Sequence, residues 1–167
     1  MIELNTLYHA DYPAWAQRTA ELLRSGCYAE LDIEHLIAEL TDMGKSERDE
    51  LENRLVILLA HLLKWQYQYQ TLSERWRECK GDSWRATIIA QRERIQKRLK
   101  KSPGLKSQFA AILTEAYADA TQLASKETHL ALTTFPSTCP YSPTQLLDEE
   151  YYPAASHDSL MPDQTSK

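Results

Sequence analysis

The fold is decided by residues 51–65, which read Leu51-Glu52-Asn53-Arg54-Leu55-Val56-Ile57-Leu58-Leu59-Ala60-His61-Leu62-Leu63-Lys64-Trp65. Apolar side chains recur in this stretch at steps of four, three, four and three, at Leu51, Leu55, Leu58, Leu62 and Trp65. This spacing puts them on one face of an α-helix, and Leu59 and Leu63 widen that face. The pattern predicts a core-facing helix of about 25 residues, over residues 46–70.

Helical spacing also occurs on both sides of this stretch. It predicts further helices over residues 12–24, 32–43, 84–101 and 105–130. Gly44 is predicted to close the helix that begins at Asp32, or to kink it into the next one. Asp82 or Ser83 can cap the helix that runs to Lys101, and the polar residues 71–83 are predicted to form a loop or a frayed extension before it.

The helical pattern stops after Thr133. Residues 135–141, here called the strap, contain two prolines and two large aromatic residues, so they are predicted to be ordered but not helical. Ser142 can cap a short helix that ends at Leu147. The sequence therefore predicts an all-α, up-down helical bundle of four to five helices with an ordered, proline-containing C-terminal strap.

Length and composition predict one domain over residues 1–153 and a polar, disordered tail over residues 154–167. The longest clean apolar run, residues 55–60, is too short to cross a membrane, so no membrane partner is expected. Cys27, Cys79 and Cys139 lie far apart in the chain and are expected to be free thiols in the cytoplasm. No cofactor is expected, because the sequence contains no Gly-rich phosphate loop.

Charge is distributed unevenly along the chain. The formal net charge is −5, but residues 1–53 carry twelve acids and four bases, whereas residues 73–101 carry ten bases and four acids. One interpretation is intramolecular, with the acidic segment packed beside the basic one. The other is a basic surface for an anionic partner, although a protein that is acidic overall repels nucleic acid.

Several motifs resemble the domain of unknown function 29 family, over about residues 5–153. They include Asp32-Ile33-Glu34-His35-Leu36-Ile37, Met43-Gly44, His61-Leu62-Leu63-Lys64-Trp65-Gln66, Ser83-Trp84-Arg85-Ala86-Thr87-Ile88, Ala116-Tyr117-Ala118-Asp119-Ala120 and Cys139-Pro140-Tyr141. The resemblance implies an all-α bacterial protein and no established activity. Two carboxylates that are usual in the family before Met43 are replaced by Ala38 and Thr41, which puts a metal or acid–base role for them in doubt.

Arg54 and His61 are the first candidate catalytic pair, because seven residues place them on one helix face two turns apart. The spacing resembles the catalytic motif of HEPN ribonucleases, in which histidine moves protons and arginine holds phosphate. Leu55 departs from that motif, which usually has a polar residue after the arginine. The alternative is a mostly buried His61 whose ring nitrogens bond a neighbouring carboxylate or carbonyl, with Lys64 pointing outward. Glu39 or Asp42, one helix away, could supply the carboxylate.

A second candidate site is a polar patch near the start of the basic helix. Its members are Trp84, Arg85, Thr87, Gln91 and Arg92, with Lys64 as an additional binding residue. A helix N-terminus and arginines can grip a phosphate or the backbone of a partner. The alternative is a helix cap, a core tryptophan and surface arginines.

A metal site is the third hypothesis. Its candidate ligands are His35, Glu39, Asp42 and His61, with Glu127 and His129 further along the chain. The sequence lacks the duplicated Glu-x-x-His pattern of di-iron bundles.

Three function classes therefore remain open. The first is a non-enzymatic interaction or regulatory module that binds a protein or nucleic-acid partner through the basic helix. The second is a metal-independent ribonuclease, and the third is a metal-binding bundle. A homo-oligomer is compatible with each of them.

Overall fold

A computed structural model describes residues 3–69, 72 and 74–156, without the side chains of residues 74 and 77. This part of the chain contains no strand, which confirms the all-α prediction. Its α-helices are α1 (Leu4–Ala10), α2 (Tyr12–Ser25), α3 (Ile33–Tyr67), α4 (Glu74–Lys101), α5 (Phe109–Thr128) and α6 (Pro143–Leu147). None of the described helices is long and apolar enough to span a membrane.

The chain divides into two compact units, Met1–Glu47 and Arg48–Lys167. The first unit contains α1, α2 and the beginning of α3. Asp11 caps α2 by accepting a hydrogen bond from the Ala14 amide at 3.1 Å, and Gly26 ends it with a φ of 74°. Helix α2 buries Trp15, Thr19 and Leu22. Helix α1 was not predicted from the sequence, and none of its seven residues is buried.

Helix α3 continues through Gly44, so the prediction that the helix ends there is wrong. Nothing lies within 4 Å of the position of a Cβ at Gly44, and its backbone has no positive φ. A glycine inside a helix costs about 1 kcal/mol relative to alanine. Burial of the long apolar face in the following turns outweighs this cost, so the helix continues.

The second unit is built around one hydrophobic core. Leu51, Leu55, Leu58, Leu62 and Trp65 are all buried in it, as the spacing predicted. Helix α4 contributes Trp84, Ile88, Ile95 and Leu99, and α5 contributes Phe109, Ile112, Ala116 and Ala120. The predicted loop over residues 71–83 is wrong from Glu74 onward, because that residue already begins α4.

The strap is ordered, as predicted, and is held by tyrosine hydroxyls. Phe135 and Tyr141 are buried in the core of the second unit. Tyr117 donates to the Pro136 carbonyl at 2.7 Å, and Tyr141 donates to Oε1 of Gln66 at 2.7 Å.

Residues 142–156, here called the C-terminal segment, begin with a capping box. The Gln145 amide donates to Ser142 Oγ, and the Ser142 amide donates to Gln145 Oε1. At the other end of the segment, the Ser156 amide donates to the Gln66 carbonyl at 3.2 Å. The remainder of the predicted tail, residues 157–167, lies outside the described residues.

Candidate functional site

Arg92, predicted to lie on the surface or in a binding patch, is a buried residue that is only 1 % exposed. Its guanidinium donates to four backbone carbonyls of the C-terminal segment, those of Gln145, Leu146, Glu149 and Tyr151. Burial lowers the pKa of Arg92 from its ordinary value, but the side chain keeps its charge and its five donors. Four of the five donors of Arg92 therefore hold the chain's own backbone.

The other residues of the predicted patch differ in exposure and in the partners they contact. Thr87 donates to the Ser83 carbonyl one turn earlier in α4. Gln91 is buried, and its Oε1 has no hydrogen-bond partner among the described residues. Arg85 is exposed, and its guanidinium carbon lies 5.6 Å from the centre of the Trp65 ring and 5.5 Å from that of Tyr152. Trp84 is a core residue.

Lys64 points inward, so the prediction that it points outward is wrong. The side chain is only 7 % exposed, and its ammonium forms an ion pair with Glu127. Lys64 Nζ also lies 5.4 Å from the centre of the Trp84 ring. The ring face and the carboxylate replace the water that the ammonium loses on burial.

His61 lies beside this ion pair. Its Nδ1 is 2.8 Å from the Ile57 carbonyl, and its Nε2 is 3.4 Å from Lys64 Nζ. The predicted pairing with Glu39 or Asp42 is wrong, because the partners of the His61 ring are the Ile57 carbonyl and Lys64. Ile57, Lys64 and His61 all belong to helix α3. Burial and, secondarily, the charge of Lys64 lower the pKa of His61. Nδ1 therefore carries the proton that the carbonyl accepts, and the ring is neutral at pH 7.

Arg54 is bound to Glu50 rather than to His61. Its Nε and Nη2 lie 2.9 Å and 2.8 Å from Glu50 Oε1, and Arg98 Nη2 lies 3.8 Å from the same oxygen. These side chains line a cavity of about 300 Å³, here called the basic groove, whose lining residues are Glu50, Arg54, Arg94, Lys97, Arg98 and Lys101. The basic groove is thus lined by five cations and one carboxylate.

The basic character of α4 could be predicted from sequence, but of the groove residues only Arg54 was selected, as a catalytic candidate. Arg94, Lys97, Arg98 and Lys101 follow the i, i+3, i+4, i+7 spacing of one helix face. This spacing was the signal that could have found the α4 side of the groove. The contribution of Arg54 could not be read in the same way, because it depends on how α3 packs against α4.

Two of the candidate metal ligands of the first unit, Glu39 and His35, have partners within the protein. Tyr8 and Tyr12 donate to the two oxygens of Glu39 at 2.6 Å and 2.7 Å. These hydrogen bonds lower the pKa of Glu39, and the bond to Glu39 raises the pKa of Tyr8 to about 12. His35 Nδ1 lies 2.7 Å from Asp32. Among the described residues, no three His, Cys, Asp or Glu side chains are placed to hold a metal ion.

A cavity of about 860 Å³ lies between α5 and the strap. Its walls include Tyr117, Leu132, Phe135 and Cys139. Burial raises the pKa of the Cys139 thiol, so the thiol is protonated at neutral pH and is a poor nucleophile. This cavity has the size of a small-molecule site but lacks a charged group to orient a ligand.

Comparisons with known proteins give a family and no activity. No curated protein and no solved structure matches the chain. A family model described as "Domain of unknown function DUF29" matches residues 7–152, which is most of the chain. The chain therefore belongs to the DUF29 family.

Proposed function

We propose that the chain is a non-enzymatic interaction module whose basic groove binds an acidic segment of a partner protein. One observation carries the proposal: the groove already holds a carboxylate, that of Glu50, between Arg54 and Arg98. Arg94, Lys97 and Lys101 are exposed at the same groove. Cations in excess over the carboxylate make the groove a receptor for further carboxylates.

An acidic protein segment fits the groove better than a nucleic acid does. The chain has a net charge of −5, which repels a polyphosphate at long range. The residues that line the groove include no aromatic side chain on which a base could stack. Three of the five cations are arginines, whose planar guanidinium matches a carboxylate in two-point contacts.

We expect weak and reversible binding. An exposed ion pair contributes about 0.2–1 kcal/mol, so contacts to three or four cations give an affinity that salt readily weakens. Such an affinity suits a regulatory contact. The cytoplasm is the compartment we propose for it, because all three cysteines are free thiols. A second copy of this chain, whose residues 1–53 carry twelve acids and four bases, is one source of an acidic segment.

The proposal is tested with a fluorescein-labelled octaglutamate peptide and the full chain, by fluorescence anisotropy at low salt. The variant R94E/K97E reverses two exposed charges of the groove, and K106E/K126E reverses two exposed lysines outside it. We expect R94E/K97E to weaken peptide binding by about tenfold or more and K106E/K126E to weaken it by less than about threefold. Equal effects of the two variants would refute the groove as the binding site. Tighter binding of a single-stranded RNA oligonucleotide, lost in the same groove variant, would assign the groove to nucleic acid.

The ribonuclease hypothesis stays a prediction and ranks second. Arg54 and His61 both have intramolecular partners, Glu50 for the guanidinium and the Ile57 carbonyl for the imidazole. Catalysis on RNA requires both groups to reach the substrate. Turnover of a labelled RNA that is abolished in folded Arg54→Ala and His61→Ala variants would reverse this ranking.

A further inference from the structure

The first unit carries an exposed row of large apolar side chains on α3. Ile33, Ile37, Leu40 and Met43 are 50, 59, 60 and 65 % exposed. They are three or four positions apart, so they form one helix face, here called the apolar stripe. A contiguous apolar face of this kind differs from single exposed apolar residues, which need no explanation.

The helices of the first unit contact another face of α3. Tyr8 and Tyr12 bind Glu39, and the Tyr8 ring lies 3.9 Å, between ring centres, from that of His35. At about 100° per residue, His35 and Glu39 lie more than about 100° around the helix from the line through Ile33, Ile37 and Leu40. Contacts with α1 and α2 therefore fix this part of α3 without covering the stripe.

The stripe lies on a helix that is already formed in the unbound chain. Asp32 binds both the amide and the ring of His35 at the start of α3, and the helix continues through Gly44 to Tyr67. A preformed helix face binds a partner without the entropic cost of ordering itself.

Charge determines what can cover the stripe. Residues 33–47 contain Glu34, Glu39, Asp42 and Glu47 but only one base, Lys45. Three of these carboxylates line a cavity of about 480 Å³ that also includes Met43, at the end of the stripe. A second copy of the same stripe, an anionic lipid surface and a nucleic acid would each place like charges together. A basic amphipathic helix would cover the apolar side chains and would also place positive charges near the carboxylates.

We propose that the apolar stripe of α3 is a docking face for a basic amphipathic helix of a partner protein. The bound helix places its apolar side chains on Ile33, Ile37 and Leu40, and its lysines or arginines face Glu34, beside Ile37, and Glu47, one turn beyond Met43. This proposal rests on residues of the first unit and does not depend on the basic groove.

The test uses the full chain and a fluorescein-labelled Leu/Lys peptide of about 18 residues, which forms roughly five helical turns with one apolar face. A scrambled peptide of the same composition and a Leu/Glu peptide are the controls. The variant I37S/L40S removes the centre of the stripe. The variant I89S/L132S is its match, because both of these residues are also exposed, 44 and 53 % respectively, but lie in the second unit.

We expect the Leu/Lys peptide to bind about tenfold more tightly than the scrambled peptide. I37S/L40S should lose this advantage, whereas I89S/L132S should retain it. E34K/E47K should shift the preference from the Leu/Lys peptide towards the Leu/Glu peptide, and R94E/K97E should change nothing. Equal loss in both serine variants, or an unchanged preference in E34K/E47K, would overturn the proposal. So would a wild-type dimer that I37S/L40S dissociates, because a second copy would then cover the stripe.

Discussion

Arg92 Nη2 lies 2.7 Å from the carbonyl oxygen of Tyr151, a residue 59 positions later in the chain. The same side chain also binds the carbonyls of Leu146, Glu149 and Gln145. These carbonyls have no helical amide to accept from, so the buried guanidinium supplies the donors that order the C-terminal segment.

Replacing Arg92 with methionine should lower the free energy of unfolding by about 3 kcal/mol, because buried carbonyls lose charged donors. Arg94→Met is the matched control, since Arg94 is exposed two residues later in α4, and it should change stability by less than about 0.5 kcal/mol. Urea unfolding followed by circular dichroism gives both values. Equal stability of the two variants would show that the carbonyls find other donors.

The Lys64–Glu127 ion pair should respond unequally to the loss of either partner. Glu127→Ala leaves a buried ammonium without its carboxylate, whereas Lys64→Met leaves a carboxylate that is 44 % exposed and can be hydrated. We expect Glu127→Ala to cost about 1–2 kcal/mol and Lys64→Met to cost less than about 1 kcal/mol. Thermal and urea unfolding of both variants measure the difference, and the reverse order would contradict the burial of Lys64.

His61 should make stability depend on pH near neutrality. Its pKa in the folded chain is below the ordinary value of 6.5, so the unfolded chain binds its proton more readily. The stabilising contribution is therefore complete above pH 6.5 and is lost as the pH falls below it. His61→Gln should remove this part of the pH dependence between pH 7 and pH 5, as measured by urea unfolding at each pH. An identical slope in the variant would assign the pH dependence to other groups.

Gly44 and Gly81 both lie inside helices, but replacing each with alanine should affect stability differently. Gly44→Ala meets nothing within 4 Å and should stabilise the chain by about 0.5–1 kcal/mol. At Gly81 a Cβ would come within 2.6 Å of the Tyr69 ring, which stacks on Trp65 at 4.4 Å between ring centres. Gly81→Ala should therefore be neutral or destabilising. Melting temperatures of the two variants and of wild type measure both effects, and an equal increase in both variants would contradict the prediction.

The helices that bury a regular apolar face could be predicted from sequence. Leu51, Leu55, Leu58 and Leu62 are buried, as their spacing predicted. The first turns of α4 could not be predicted, because residues 74–83 are polar and contain a glycine. That glycine provides room for the Tyr69 ring, a contact between residues that no local pattern relates.

The candidate sites were less predictable than the helices. Arg92 and Lys64 both look like surface residues in sequence, because charged side chains are rarely buried without partners. Their partners, Tyr151 and Glu127, lie 59 and 63 positions later in the chain. Burial of a charge can be inferred only when the distant group that compensates it is known.

The hydrogen bonds of Arg92 also impose an order on biosynthesis. A ribosome makes the chain from its N-terminus, so α1 to α5 emerge before the carbonyls of residues 145–151 exist. Until then Arg92 lacks the four carbonyls that it binds in the folded chain. Burying a charged group without partners is costly, so we expect this part of α4 to pack fully only after the C-terminal segment has been made.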